Sequence, residues 1–155
     1  VNASRAASRA LHLAEPPAAY HRRPRIVADA TVLAAVVFGE AEQPQAVALL
    51  RGRALAAPHL VDCEIANVAL KKQRRERLTD DAVVDALEAY SAIDLERHHV
   101  DVRAVYALAR RYSLTSYDAA YLWLADSLEA PLATFDTSLG HAAMEHLRQA
   151  GEAQP

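Results

Sequence analysis

A single cysteine, Cys63, stands in the whole chain of 155 residues. A lone thiol excludes an internal disulfide framework, and a reducing compartment, the cytoplasm, is the natural expectation. No apolar run approaches the roughly 18 residues that a membrane-crossing helix needs, so no membrane span is expected. Positive charge is not in excess either. Against 20 Asp and Glu there are 17 Lys and Arg, a formal net charge of −3. That excludes a globally basic nucleic-acid binder and confines any such contact to a local patch. No internal repeat is visible. What remains is a chain that is 52% hydrophobic and of a length that suits one domain with its own core.

The first two dozen residues differ from the rest. Val1 to Tyr20 is rich in Ala, Ser and Arg, has no acid before Glu15, and contains Pro16-Pro17. The composition resembles an organelle transit peptide, but fits better an extension drawn from an Ala- and Arg-rich proteome. Residues 1–24 are read as a loosely ordered extension with a frayed helix over Ser4 to Leu13. Residues 25–150 are read as the folded domain and 151–155 as a tail.

Within the domain, short β-type runs alternate with helical patterns. Ile26-Val27-Ala28 ends at Asp29, and Thr31 to Phe38 reads as a buried turn or helix closed by Gly39. Gln43 to Arg53 is amphipathic, and Leu55 to Ala57 is a second small strand stopped at Pro58. His59 to Arg75 is a clear helix, with Leu60, Cys63, Asn67 and Leu70 along one side and a strongly basic end. Thr79-Asp80-Asp81 caps a further helix. Ile93 to Leu95 suggests a third strand, and Val100 to Tyr112 a helix with Val102, Val105, Tyr106 and Ala109 facing the core. Thr115 or Ser116 opens another helix with Asp118 in its first turn. Pro131 ends that helix, Leu132 to Phe135 reads as a short buried strand, and Asp136 precedes a last helix over about Ser138 to Ala150. The alternation predicts an α/β sandwich on a short, mainly parallel sheet, with ligands outside the carboxyl ends of the strands. Asp29 and Asp136 fall at that edge.

Each acid taken singly has a structural explanation. Asp29 and Asp136 can cap the helices that follow them, Asp118 gains from the helix macrodipole, and Glu64 can be an ordinary helix residue. Together they change the balance. Two charges about 5 Å apart repel by roughly 3 kcal/mol at an effective dielectric near 20. A cluster of carboxylates therefore needs protons or a hard divalent cation. All-oxygen ligation without neighbouring His or Cys suits Mg²⁺ or Mn²⁺ rather than zinc. That chemistry fits metal-assisted phosphodiester hydrolysis.

The segments I-V-A-D-A-T (26–31), A-P-H-L-V-D-C-E-I-A-N-V-A-L (57–70), L-T-S-Y-D-A-A-Y-L-W-L-A (114–125) and L-A-T-F-D (132–136) resemble, in order, the signatures of the PIN-domain family. They are most similar to its VapC-type toxin ribonucleases. The resemblance implies an α/β/α sandwich, Mg²⁺ or Mn²⁺ dependence, and RNA cleavage leaving 5′-phosphate and 3′-hydroxyl ends. It also implies homodimers and a cognate antitoxin. Carried over residue by residue, it makes Asp29, Glu64, Asp118 and Asp136 the acidic metal-site residues. Thr31 takes a hydroxyl position two after the first acid, Thr134 one two before the last, and Asn67 a supporting polar position. Two departures stand out. Thr137 and Ser138 follow the last acid where many relatives have a basic residue, and residues 151–155 are too short and polar for the family's final strand.

Lys71, Lys72, Arg74, Arg75 and Arg77 form the densest basic run. Cations there favour a helix C-terminus, and equally offer RNA phosphates a hold. His141 and His146 stand about 140° apart on a helix, the wrong phase for a zinc pair. His98-His99 reads as a turn feature, Asp62 as solvated, Tyr117 and Tyr121 as packing residues ahead of a stacking role on RNA bases, Trp123 as core or dimer face, and Cys63 as buried. A non-catalytic RNA- or protein-binding module on the same fold is the main rival. A phosphatase with Asp29 as nucleophile is weaker, because Thr31 stands where that chemistry wants a second acid.

Overall fold

The computed structural model describes residues 23–76 and 78–152, side chains being described as far as 149. The expected N-terminal extension up to residue 22, Arg77 and the last three residues lie outside it.

Four parallel strands form one sheet in the order β3-β2-β1-β4. The chain begins with β1 (Arg25–Ala28), α1 (Ala30–Val37), α2 (Gln43–Leu50), β2 (Ala54–Pro58) and α3 (Val61–Glu76). There follow α4 (Asp80–Ser91), β3 (Leu95–His98), α5 (Val102–Tyr112), α6 (Ser116–Ser127), β4 (Leu132–Ala133) and α7 (Thr137–Glu152). In register, Val27 pairs with Ala56 on one side and Leu132 on the other. Asp29 N–H donates to the Ala133 carbonyl at 3.0 Å, so the last acid's strand is locked beside the first.

Strand alternation splits the core into layers. Ile26 packs with Val32 and Ala35 of α1 and Ala46 of α2. Its neighbour Val27 joins the larger cluster with Leu122 and Ala125 of α6 and Leu139 of α7. α6 is buried on nearly every side, with Ala119, Ala120, Tyr121, Leu122, Leu124 and Ala125 all out of solvent. A helix whose middle is apolar all round belongs at the centre of a fold, and the small Ala56, on the same face of the sheet as Val27, lets it lie close. The expected α/β/α sandwich with a parallel sheet is what forms. Among the described residues no helix is long and apolar enough to cross a membrane.

Local chemistry sets the ends. Thr115 caps α6 by accepting from Asp118 N–H, and Thr79 caps α4 by accepting from Ala82 N–H. Gly39 follows the C-cap of α1 at φ +65, and Glu40 N–H reaches back to the Ala35 carbonyl, a Schellman closure.

Several expectations need correction. β3 begins at Leu95 rather than Ile93, because it is defined by pairing with β2 (Leu55↔Leu95 to Pro58↔His98) and only Leu95 of it is buried. β4 is two residues long, since Thr134 turns out of the sheet toward Asp29. α5 buries Val105 but leaves Val102 and Tyr106 exposed. On α3 the buried stripe is Val61, Ile65 and Ala69, one step around from Leu60, Cys63, Asn67 and Leu70. Cys63 is exposed. Asp62 is exposed but not simply solvated: it accepts from Arg97 Nε at 2.9 Å and from Tyr90 OH at 2.6 Å. Trp123 is half-buried against the core.

Candidate active site

β1 delivers Asp29 to the carboxyl edge of the sheet as the N-cap residue of α1, yet its side chain makes no capping bond there. One oxygen, Oδ2, instead accepts from the Thr31 and Thr134 hydroxyls, each at 2.7 Å. Both hydroxyls are tied in turn: Thr31 Oγ1 accepts from Phe135 N–H at 3.0 Å and Thr134 Oγ1 from Asp136 N–H at 2.9 Å. A hydroxyl that donates one way and accepts the other is fixed in orientation. Asp29 is only 5% exposed, the one buried charged residue of the described chain. Capping does not explain it.

The other acids come from three helices. Glu64 lies in the first turn of α3, half-buried, and Tyr121 OH donates to its Oε2. Asp118 Oδ2 accepts from the Thr115 hydroxyl at 2.7 Å, closing a reciprocal cap at the start of α6. Asp136 Oδ1 accepts from Leu139 N–H at 2.8 Å and so caps α7, leaving Oδ2 without a hydrogen bond among the described residues. For Asp118 and Asp136, a structural role and a place in the site coexist.

A cleft of about 400 Å³ gathers them, lined by Asp29, Glu64, Asp118 and Asp136 together with Thr31 and Asn67. Thr134 stands behind it, reaching the cleft through Asp29. Cys63, Lys71 and Tyr117 complete the walls, and no histidine among the described residues lines it. Of the basic run, Lys71 reaches the cleft. Lys72 is committed to Glu40 at 2.8 Å and Glu76 at 3.2 Å and is nearly buried. Arg74 and Arg75 are exposed at the end of α3.

Asp29 and Glu64 feel the charges beside them. Burial holds the Asp29 carboxyl above the usual aspartate range, against the threonine hydroxyls and Ala30 N–H, and the Asp118 charge pushes it further up. Burial likewise raises Glu64; Tyr121 opposes this, and Asp29 and Asp118 add to it. Tyr121 is itself held far above the ordinary tyrosine value by burial and by the Glu64 carboxylate, so it remains a donor. Among the described residues, no three His, Cys, Asp or Glu side chains converge closely enough to enclose an ion alone. The donor set is nevertheless all oxygen, mutually repelling and open on one side. That suits a hard cation that keeps part of its water shell and takes one or two carboxylates, as Mg²⁺ does.

Sequence reasoning missed two partners. Tyr121, expected to pack or, second, to stack on a base, is the hydrogen-bond donor to Glu64; its place one turn after Asp118 is the available signal. Thr115, expected as a cap, also holds the Asp118 carboxylate. The histidines stand elsewhere: His146 meets Tyr112 OH at 3.1 Å, and the His59 and His99 rings stack with centroids 4.5 Å apart.

Comparison with known proteins places the chain. The PIN domain family matches residues 26–144. Ribonuclease VapC3 of Pyrobaculum aerophilum is 31% identical over 120 residues, covering 74% of this chain and 92% of that protein. Ribonuclease VapC9 of Mycobacterium tuberculosis is 32% identical over 114 residues, covering 74% and 87%. Among solved structures, PAE2754 from Pyrobaculum aerophilum superposes with a TM-score of 0.63 at 23% identity, over 84% of this chain and 91% of that one. VapC20 of Mycobacterium tuberculosis, a toxin that cleaves the sarcin–ricin loop, shares the fold with a TM-score of 0.55 at 16% identity, over 76% and 94%. With the family matched across most of its length, the chain belongs to the PIN-domain family, among its VapC-type members.

Proposed function

We propose that the protein is a divalent-metal-dependent endoribonuclease and the toxin of a toxin–antitoxin pair. One observation carries the reading. Asp29 is buried, is released from capping duty, and is aimed by two threonine hydroxyls toward a cleft it shares with Glu64 and Asp118. A carboxylate kept in a like-charged, desolvated place costs stability unless a cation offsets it. The ribonuclease relatives supply the substrate class.

In this reading Mg²⁺ or Mn²⁺ would be held in the cleft by one or two of Asp29, Glu64 and Asp118 directly and by the rest through its retained waters, with Asp136 also lining the cleft. Such an ion would supply positive charge against the phosphodiester and Lewis acidity toward water. The chain's own residues do the positioning. Thr31 and Thr134 fix Asp29, Tyr121 fixes Glu64, and Thr115 fixes Asp118, so the carboxylates need little reorganisation before reaction. Asn67 offers a neutral polar contact beside Glu64. Lys71, Arg74 and Arg75 offer RNA phosphates a local basic patch on a chain of net charge −3. A homodimer and an antitoxin that covers the cleft belong to the same reading.

The test is RNA cleavage by the purified protein in Mg²⁺, with the new 5′ ends sequenced, beside Asp29→Asn. Cleavage leaving 5′-phosphates, lost in EDTA and in the variant, is expected. Full activity in Asp29→Asn would sink the assignment, and RNA bound but never cut would make the protein a binding module.

A further inference from the structure

We propose that the cleft receives an RNA strand between two unlike walls, Lys71 and Arg75 of α3 taking its phosphates and the ring of Tyr117 stacking a base beside the scissile linkage. The inference rests on the nuclease reading, narrows its phosphate contacts to Lys71 and Arg75, and adds Tyr117 as a base platform.

The first wall follows from helical phase. α3 runs unbroken from Val61 to Glu76. At 100° per residue, Lys71 and Arg75 lie within about 20° of Glu64 on the helix surface, roughly 10 and 16 Å further along its axis. Arg74 falls about 80° to one side and Lys72 about 80° to the other. Lys72 is also spent on Glu40 and Glu76. Lys71 and Arg75 are exposed and make no ion pair among the described residues, and Lys71 lines the cleft itself. The ridge that begins at a carboxylate of the site thus continues as a line of free cations. An acid-lined cleft repels a phosphate backbone, and cations on the same ridge give the strand its hold outside the site.

The second wall is at the start of α6. Tyr117 is 62% exposed, although it adjoins Asp118 and lines the cleft. The other tyrosine of that turn, Tyr121, is fully buried and occupied with Glu64. Exposed Tyr106 has the Arg110 guanidinium over its ring. No such cation covers Tyr117 among the described residues. An uncovered phenol ring at the mouth of a nuclease cleft offers a face on which an unpaired base can stack, a contact tolerant of sequence. Phosphates on one wall and a base on the other require an unpaired strand, because a duplex keeps its bases stacked inside.

The experiment uses the full chain carrying Asp29→Asn, in Mg²⁺, with a fluorescein-labelled 12-nucleotide single-stranded RNA of mixed sequence and the matching blunt duplex, read by anisotropy across salt. The single strand is expected to bind at least tenfold more tightly than the duplex. Lys71→Ala and Arg75→Ala each weaken it several-fold, and each flattens the plot of log affinity against log salt by about 0.7. Lys72→Ala leaves that slope unchanged. Tyr117→Ala weakens binding by about 5-fold to 100-fold at an unchanged slope, while Tyr117→Phe stays within about twofold. If the wild-type protein cuts RNA but these variants bind as the parent does, the two-wall assignment falls alone. If only the Tyr117 variants bind normally, the ring serves another surface, such as a partner protein, and the base platform is wrong. If the parent binds no RNA and the wild type cuts none, the nuclease reading falls first and takes this one with it.

Discussion

Replacing Asp29 by Asn should make the metal-free protein more stable at neutral pH, the reverse of what most substitutions at a buried polar residue do. Asp29 is 5% exposed and stands near Asp118 and Glu64. Carboxylates on the order of 6 Å apart repel by about 3 kcal/mol at an effective dielectric of 20. The amide keeps an oxygen for the Thr31 and Thr134 hydroxyls, which share one acceptor atom in the aspartate. Its new N–H₂ group lacks an assigned partner and returns about 1 kcal/mol. The net gain is about 2 kcal/mol, or about 6 °C in Tm for a domain of this size. The pH dependence has a definite sign. Folded Asp29 binds its proton more tightly than the unfolded chain does, so its contribution is fully present below the ordinary aspartate range and is lost as pH rises through the raised folded value. The advantage of the variant should therefore grow across that interval and vanish in acid. Thermal unfolding in EDTA, followed by circular dichroism from pH 3 to 8, measures it. A variant less stable than the wild type at pH 7, or a difference independent of pH, would refute the reasoning.

Three further outcomes follow from the contacts around the cleft. Thr134→Val removes the hydroxyl that links Asp29 to Asp136 N–H; chemical denaturation should show a loss of about 1–3 kcal/mol, with RNA cleavage down at least tenfold, and normal cleavage would contradict the positioning role. Tyr121→Phe deletes the donor that opposes the raised pKa of Glu64, so the acid limb of the rate–pH profile should move to higher pH; a limb left in place would reduce Tyr121 to packing. Cys63, the chain's one thiol, is exposed in the cleft wall, so iodoacetamide should block RNA cleavage and bound RNA should slow its alkylation. Cys63→Ser should resist the reagent, and an alkylation rate indifferent to RNA would place the strand elsewhere.

How much of this was legible depended on how local the cause was. The end signals of α6 stand within a few residues of one another, Thr115 as cap and Asp118 in the first turn, and its position could be read from them. The closure of α1 by Gly39 is similar. β3 starts later than the apolar Ile93 suggests, because Leu95–His98 carries almost no hydrophobic pattern and owes its extended form to the ladder with β2. The core side of α5 is narrower than its apolar pattern suggests: Val105 and Ala109 pack against the fold, while Val102 and Tyr106, apolar by type, stay exposed. In the site, the four acids could be picked out as types in order. Their supports could not. Tyr121 meets Glu64 across 57 positions, Thr134 meets Asp29 across 105, and Lys72 is withdrawn by Glu40 from another loop. The surprise was Asp29 itself: a residue with a good structural excuse, N-cap of α1, that makes no capping bond.

That the cleft's carboxylates act as one divalent-ion site is tested most directly by titration calorimetry with Mn²⁺ on the wild-type protein beside Asp29→Asn, Glu64→Gln and Asp118→Asn. Wild-type protein should bind Mn²⁺, and each substitution should weaken binding at least tenfold while the variant remains folded. No binding by the wild type, or binding that all three variants retain, would contradict it.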